Sequence, residues 1–233
     1  MLRQLFDEQT RRDGEDAVFQ NILQAIDRFC QTVRNQQQLH ERFYRLELFA
    51  SSFASVLDEL EQSRYAAAKF GQRVRKQYES EMTDEELQDY KLFLYFYKNA
   101  FIRVFSALDK LGYFLNEMFE VHTEKVKPKF SYFTVLRQMH QRKIHPDLEE
   151  QLYKLKERYR EPMQRLREKR NTEIHYLNVE ILNDLAALRR QFADSMRVEN
   201  IAANMADLDA AYDMVVQSMQ AVFVHAVRSV RKG

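Results

Sequence analysis

The stretch KRNTEIHYLN, residues 169–178, contains the side chains of this chain best suited to chemistry on a phosphate group. Arg170 is followed by the polar residue Asn171, and His175 comes five positions after the arginine. A guanidinium pairs with phosphate oxygens, and an imidazole exchanges protons near neutral pH. The stretch is therefore a candidate reactive constellation, and its alternative is an ordinary turn into a helix.

The spacing of this pattern is not informative by itself. A second arginine, Arg34, is also followed by an asparagine and, a few residues later, by His40. This copy lies in VRNQQQLHERF, where a polar, glutamine-rich turn between two helices explains it fully. Context must therefore separate the two copies.

The context of the first copy is a run of basic residues. Between Lys154 and Arg170 there are eight basic and three acidic residues, a local net charge of +5, whereas the whole chain carries only +1. Such a run attracts phosphates, and it is also typical of a solvated helix face. Under the first interpretation the candidate substrate-binding residues are Arg165, Arg167 and Lys169.

The geometry of the motif depends on where a helix begins. In one continuous helix a five-residue step places Arg170 and His175 about 140° apart and about 7.5 Å along the axis. Alternatively Asn171 or Thr172 is a helix N-cap, so that Arg170 lies in the preceding turn, or both side chains flank a groove. His175 also borders an apolar stripe, which leaves a partly buried, satisfied histidine as a further interpretation.

Other chemistries are poorly supported by the sequence. The six histidines form no HExxH pattern, and one cysteine, Cys30, excludes a thiolate zinc site and an internal disulfide. There is no glycine-rich phosphate loop and no G-x-S-x-G elbow. We expect no metal and no cofactor, a buried Cys30, and a cytoplasmic protein without a membrane span or signal peptide.

Composition predicts an all-α fold. Only 4 glycines and 3 prolines occur among 233 residues, too few for the turns of a β-rich protein. Apolar residues recur at steps of three and four, and Thr83 followed by Glu86 predicts a capping box. We expect an elongated helical bundle with two long helices in its first half. The predicted helices are 15–38, 39–78, 83–118, 131–143, 146–160, 163–190 and 205–231.

Two segments resemble the HEPN superfamily, with the Cthe2314-like HEPN domains as the nearest subgroup. RNTEIH after a basic helix end resembles that superfamily's R-x4–6-H motif, and YFYKNAFIRVFSALDKLGYFLNEMF, 95–119, resembles its central aromatic helix. The resemblance covers about 85–231. It implies a HEPN-like bundle at 83–233, with 1–82 as a helical extension packed on it.

The resemblance also implies function. Many such domains are metal-independent endoribonucleases of toxin–antitoxin or defence systems, and many form homodimers in which two motifs face one cleft. Carried over, His175 is the acid–base at a ribose 2′-OH or leaving oxygen, Arg170 stabilises phosphate charge, and Asn171 orients one of them. The implied partners are a second copy, RNA and a protein antitoxin or other protein. The alternative is a non-catalytic helical scaffold that binds RNA or protein.

Overall fold

The computed structural model describes residue 6 and residues 13–35, 41–175 and 197–231. These residues form an all-α bundle, as predicted, and their one β-type pairing is an isolated bridge between Tyr78 and Arg197. Seven α-helices lie in the described ranges: α1 Asp13–Arg34, α2 Glu41–Gly71, α3 Asp84–Met118, α4 Tyr132–Arg142, α5 Pro146–Arg158, α6 Arg160–His175 and α7 Ile201–Val230.

Four phenylalanines from four helices form the centre of the core. Phe29 of α1, Phe53 of α2, Phe114 of α3 and Phe223 of α7 are fully buried. Their ring centroids lie 5.1 to 6.0 Å apart, mostly edge to face, the arrangement that aromatic quadrupoles prefer. The first and last described helices are thereby joined through one cluster.

The start of α3 confirms half of the predicted capping box. Thr83 is the N-cap, and its hydroxyl accepts a hydrogen bond from the Glu86 backbone N–H at 3.2 Å. The Glu86 carboxylate does not return to Thr83. It accepts bonds from the backbone N–H groups of Arg75 at 2.6 Å and Lys76 at 2.8 Å, and these bonds lower the pKa of Glu86. The link between α2 and α3 is thus fastened to the first turn of α3.

Two predicted helix boundaries need correction, and each is set by a polar contact. The second helix ends at Gly71 rather than near residue 78, because the chain must turn there to bring Arg75 and Lys76 to Glu86. The last helix begins at Ile201, four residues earlier than predicted, because the Asn200 side chain caps it by accepting from the Ala203 N–H at 3.0 Å. Apolar spacing alone indicates neither event.

A glycine on α3 sets the position of α4. A Cβ on Gly112 would lie 2.7 Å from the Cα of Tyr132 and 2.9 Å from its N, so only glycine permits this approach. Tyr132 is the first residue of α4, and its N–H has no acceptor within the helix. It donates instead to Asp109 of α3 at 3.1 Å.

The three prolines lie at helix starts or in a break between helices, as expected. Pro146 lies at the start of α5, and Pro162 lies in the first turn of α6, where a missing N–H costs nothing. Pro128 lies in the break before α4.

The predicted helix 163–190 is confirmed to His175, and its remainder lies outside the described residues. Among the residues the structure describes, no helix combines the length and apolar character that a membrane crossing requires.

Candidate functional site

The helix α6 runs without interruption through the motif. Arg170, Asn171 and His175 all lie within Arg160–His175, so neither Asn171 nor Thr172 is an N-cap. The Thr172 hydroxyl instead donates to the Glu168 carbonyl one turn earlier at 3.0 Å, a bond made inside a helix. The continuous-helix geometry therefore holds, and Arg170 and His175 are about 140° apart around the axis.

The three motif positions occupy different parts of the helix surface. Asn171 is exposed, and Arg170 is half-buried. Four residues separate Asn171 from His175, so their positions are neighbours on the helix surface, while Arg170 lies on the flank towards α3. His175 is the last residue of α6, and its side chain lies outside the described part.

Two cations on the α7-facing flank of α6 are neutralised. Arg165 donates two bonds to the Asp207 carboxylate, at 2.8 and 2.7 Å. Lys169 lies 3.1 Å from Glu199, whose carboxylate also accepts from Asn204 at 2.6 Å. We call Arg165 and Lys169 the ion-paired side. Much of the charge of the basic run is therefore balanced by acids from a distant part of the chain.

The flank of α6 that faces α3 and α4 is built differently. The guanidinium of Arg170 lies 5.0 Å from the ring centroid of Phe105 on α3, and that of Arg167 lies 5.0 Å from the ring of Phe133 on α4. Within the described ranges, no carboxylate lies within ion-pair distance of either arginine. We call Arg167 and Arg170 the ring-backed side.

Asp109 is the acid whose charge interacts with the two arginines of the ring-backed side. It is half-buried, and burial raises the pKa of its carboxyl, opposed by the Tyr132 N–H bond and by the charges of Arg170 and Arg167. Its field reaches both arginines without forming an ion pair with either. We did not predict Asp109 from the sequence, although an acid within the aromatic-rich helix, four residues after Phe105, was a usable signal.

A cavity of about 600 Å³ lies on the other flank, between α3, α6 and the chain at 197–199. Its apolar wall is formed by Tyr90, Leu94, Tyr97 and Phe101. Its charged residues are largely paired with one another: Lys98 lies 3.2 Å from Glu173, besides the Lys169–Glu199 pair. Burial raises the pKa of the Tyr97 hydroxyl, so that this group remains neutral.

The arginine of the second copy of the motif is held in an ion pair. Arg34 is the last residue of α1, and its Nε donates to Glu47 at 2.5 Å, which neutralises the charge. Residues 36–40, including His40, lie outside the described part. Cys30 is buried as expected, and burial raises the pKa of its thiol.

The other histidines form local pairs rather than a metal centre. His140 Nδ1 lies 3.0 Å from Glu149, and His145 Nδ1 lies 3.0 Å from His225 Nε2. Over the residues described, no three histidine, cysteine or acidic side chains come together as metal ligands would.

The helical fold agrees with a family-level match. The Cthe2314-like HEPN family model matches residues 49–227, from the middle of α2 into α7. The chain belongs to this HEPN family, so the predicted family is confirmed. Comparison with curated proteins and with solved structures found no match.

Proposed function

We propose that this HEPN protein is a metal-independent endoribonuclease that acts as a homodimer, with Arg170, Asn171 and His175 as its catalytic residues. The supporting observation is the end of α6, where the exposed Asn171 neighbours the position of His175 and Arg170 lies on the adjoining flank with no described counter-ion. Family membership adds support, because HEPN domains often dimerise.

A homodimer would bring together motif residues that are separated on one helix. Positions about 140° apart on one helix cannot both face one phosphate. In a two-fold dimer the same patch of each copy meets the other, so Arg170 of one protomer can share a cleft with His175 of its partner. The arginine then stabilises charge developing on the phosphate, and the imidazole moves a proton at the 2′-OH or the leaving oxygen.

The primary test is cleavage of single-stranded RNA in the presence of EDTA. The wild-type protein is expected to cut, and His175→Ala to lose about 100-fold or more of the rate. His140→Ala is the matched control, since His140 is exposed and held by Glu149, far along the chain from the motif. Equal cleavage by wild type and His175→Ala, or no cleavage by either, would contradict the assignment.

A mixing experiment tests the shared cleft. Arg170→Gln and His175→Ala are each expected to be inactive alone. Mixed and allowed to exchange subunits, they form heterodimers in which one of two composite sites has both residues, so about a quarter of wild-type activity returns. No recovery despite proven subunit exchange would show that each protomer works alone.

A non-catalytic role in binding RNA or a protein is the second candidate. The observation in its favour is the ion-paired side, where Asp207 and Glu199 neutralise two of the cations expected to bind substrate. In this case the wild-type protein would bind RNA, or capture a protein partner, without cutting RNA, and His175→Ala would bind equally well.

A further inference from the structure

The ring-backed side of α6 has the form of a prepared anion site. Residues three apart on a helix have Cβ atoms about 5–6 Å from each other, so Arg167 and Arg170 project side by side. Each guanidinium is supported by an aromatic ring, Phe133 and Phe105 respectively, at 5.0 Å. A cation–π contact of this kind restricts the guanidinium while leaving N–H groups available for hydrogen bonds.

Both supporting rings are fixed by the packing of α3 on α4. Gly112 allows the backbone of Tyr132 to touch α3, and the Tyr132 N–H is bonded to Asp109 at 3.1 Å. Phe133 follows directly in the chain, and its position is therefore tied to α3, which also carries Phe105. The two platforms belong to one rigid corner of the bundle.

The charge of this corner is only partly balanced. Asp109 is the acid whose field reaches Arg167 and Arg170, and it is half-buried and bonded to a backbone N–H. Two guanidinium groups facing one such carboxyl leave an excess of positive charge. On the ion-paired side of the same helix, by contrast, each cation has its own carboxylate.

We infer that Arg167 and Arg170 together form the phosphate-binding subsite for single-stranded RNA, with Phe133 and Phe105 as platforms and Asp109 as the positioning residue of the corner. The identification of the ligand as RNA rests on the proposed ribonuclease function. Two cations three residues apart match one phosphate or two successive phosphates of one strand. A duplex spreads its contacts over a wider surface, and the neighbouring cations of α6, Arg165 and Lys169, are already paired.

Binding of an uncleavable strand separates this subsite from catalysis. The probe is a fluorescent 2′-O-methyl RNA 20-mer, measured by anisotropy over a range of salt concentrations. Arg167→Gln and Arg170→Gln are each expected to weaken binding about fivefold at 0.1 M salt and to reduce the salt slope by about 0.7. The matched controls Arg165→Gln and Lys169→Gln remove the same charge from the ion-paired side and are expected to change binding less than twofold. Thermal melts verify that all four variants fold.

The outcomes distinguish this subsite from the proposed function. Binding that depends on Arg167 and Arg170 without any RNA cleavage supports the subsite and contradicts the enzyme. Cleavage by a protein whose binding ignores Arg167, or equal effects of the control variants, overturns the subsite and leaves the enzyme standing. No binding of the strand overturns the subsite. Competition by millimolar inorganic pyrophosphate, with the strand bound no tighter, assigns the arginines to a free phosphate ligand and overturns the RNA assignment.

The platform has its own test. Phe133→Leu keeps an apolar side chain but removes the ring under Arg167, and it is expected to weaken binding about twofold to threefold. Phe133→Tyr keeps the ring and is expected to bind as wild type. A merely structural role for residue 133 would instead lower thermal stability in Phe133→Leu and leave the affinity of the folded protein for the strand unchanged.

Discussion

The ion-paired side and the ring-backed side of α6 use the same kind of residue in opposite ways. On the former, carboxylates from α7 and the segment before it neutralise Arg165 and Lys169. On the latter, aromatic rings from α3 and α4 support Arg167 and Arg170 and leave their charge unneutralised within the described ranges. A basic run in a sequence is therefore not the same as a basic surface, because partners far along the chain determine which cations remain available.

The largest effect is expected from replacing Gly112, the residue of α3 against which α4 packs closely. Gly112→Ala places a Cβ 2.7 Å from backbone atoms of Tyr132, and backbone cannot move aside cheaply. We expect a loss of about 1–3 kcal/mol in the free energy of unfolding, measured by urea denaturation, together with weaker RNA binding as Phe133 shifts.

Gly71→Ala is the control for this prediction. A Cβ there would meet side-chain atoms of Ile201 at 2.9 Å and Phe93 at 3.1 Å, which can adjust. Its destabilisation is expected to be smaller, and RNA binding to be unchanged. Equal losses in the two variants would show that the α3–α4 contact has no special role.

Removing one acid should convert the ion-paired side into a binding surface. Asp207→Asn frees Arg165 from its two charge-assisted bonds. We expect RNA binding to strengthen about fivefold at 0.1 M salt and the salt slope to steepen by about 0.7. Asp209→Asn removes the same charge beside Arg64 of α2, away from α6, and should leave the slope unchanged. An unchanged slope in Asp207→Asn would mean that Arg165 cannot reach the strand.

Asp109→Asn should strengthen the ring-backed side. The amide oxygen can still accept from the Tyr132 N–H, while the negative charge facing both arginines disappears. At about 6 Å in water this charge is worth roughly a threefold change in phosphate affinity. Asp89→Asn, on the same helix but paired with Arg73, is the control and should have no effect. Weaker binding in Asp109→Asn would show that the carboxylate itself is needed.

The substitution Asp109→Asn should also change how the stability of the protein depends on pH. Burial raises the pKa of Asp109, so the folded state holds this proton more firmly than the unfolded state. Its ionisation therefore costs stability as pH rises above the ordinary value of 3.8 towards the raised one, and the cost is absent below that value. The stability of Asp109→Asn relative to wild type should accordingly be greater at pH 7.5 than at pH 4.5 in urea titrations.

The smallest effect is expected from a change that preserves charge. Arg167→Lys keeps the cation but loses the planar contact with Phe133, and we expect RNA binding to weaken about twofold. Arg165→Lys, on the ion-paired side, should not alter binding measurably. A salt slope that remains equal in both variants would confirm that only the stacking was removed.

Local signals were sufficient to predict most of the fold. Apolar steps of three and four indicated the helices, Thr83 indicated the start of α3, and Pro146 that of α5. Such signals depend on neighbouring residues, which the sequence displays directly. α2 ends at Gly71, earlier than the pattern suggested. The hydrogen bonds of Arg75 and Lys76 to Glu86 are tertiary contacts, which the apolar pattern does not show.

The site was predictable only in part for the same reason. The RNTEIH resemblance led to the right family, and the basic run lies on two helices, the end of α5 and most of α6. The sequence could not indicate that Asp207 lies 42 residues after Arg165 and yet binds it, or that Phe105 lies under Arg170. Sorting available cations from neutralised ones requires these long-range contacts.

The four-phenylalanine core has a consequence for the synthesis of the chain. Phe29 and Phe53 are made early, but their cluster is completed only by Phe223, which emerges from the ribosome 194 residues after Phe29. Until α7 has been translated, large apolar rings of α1, α2 and α3 lack the partner that covers them. The nascent protein is therefore expected to need shielding from aggregation, for example by a chaperone, for most of its translation.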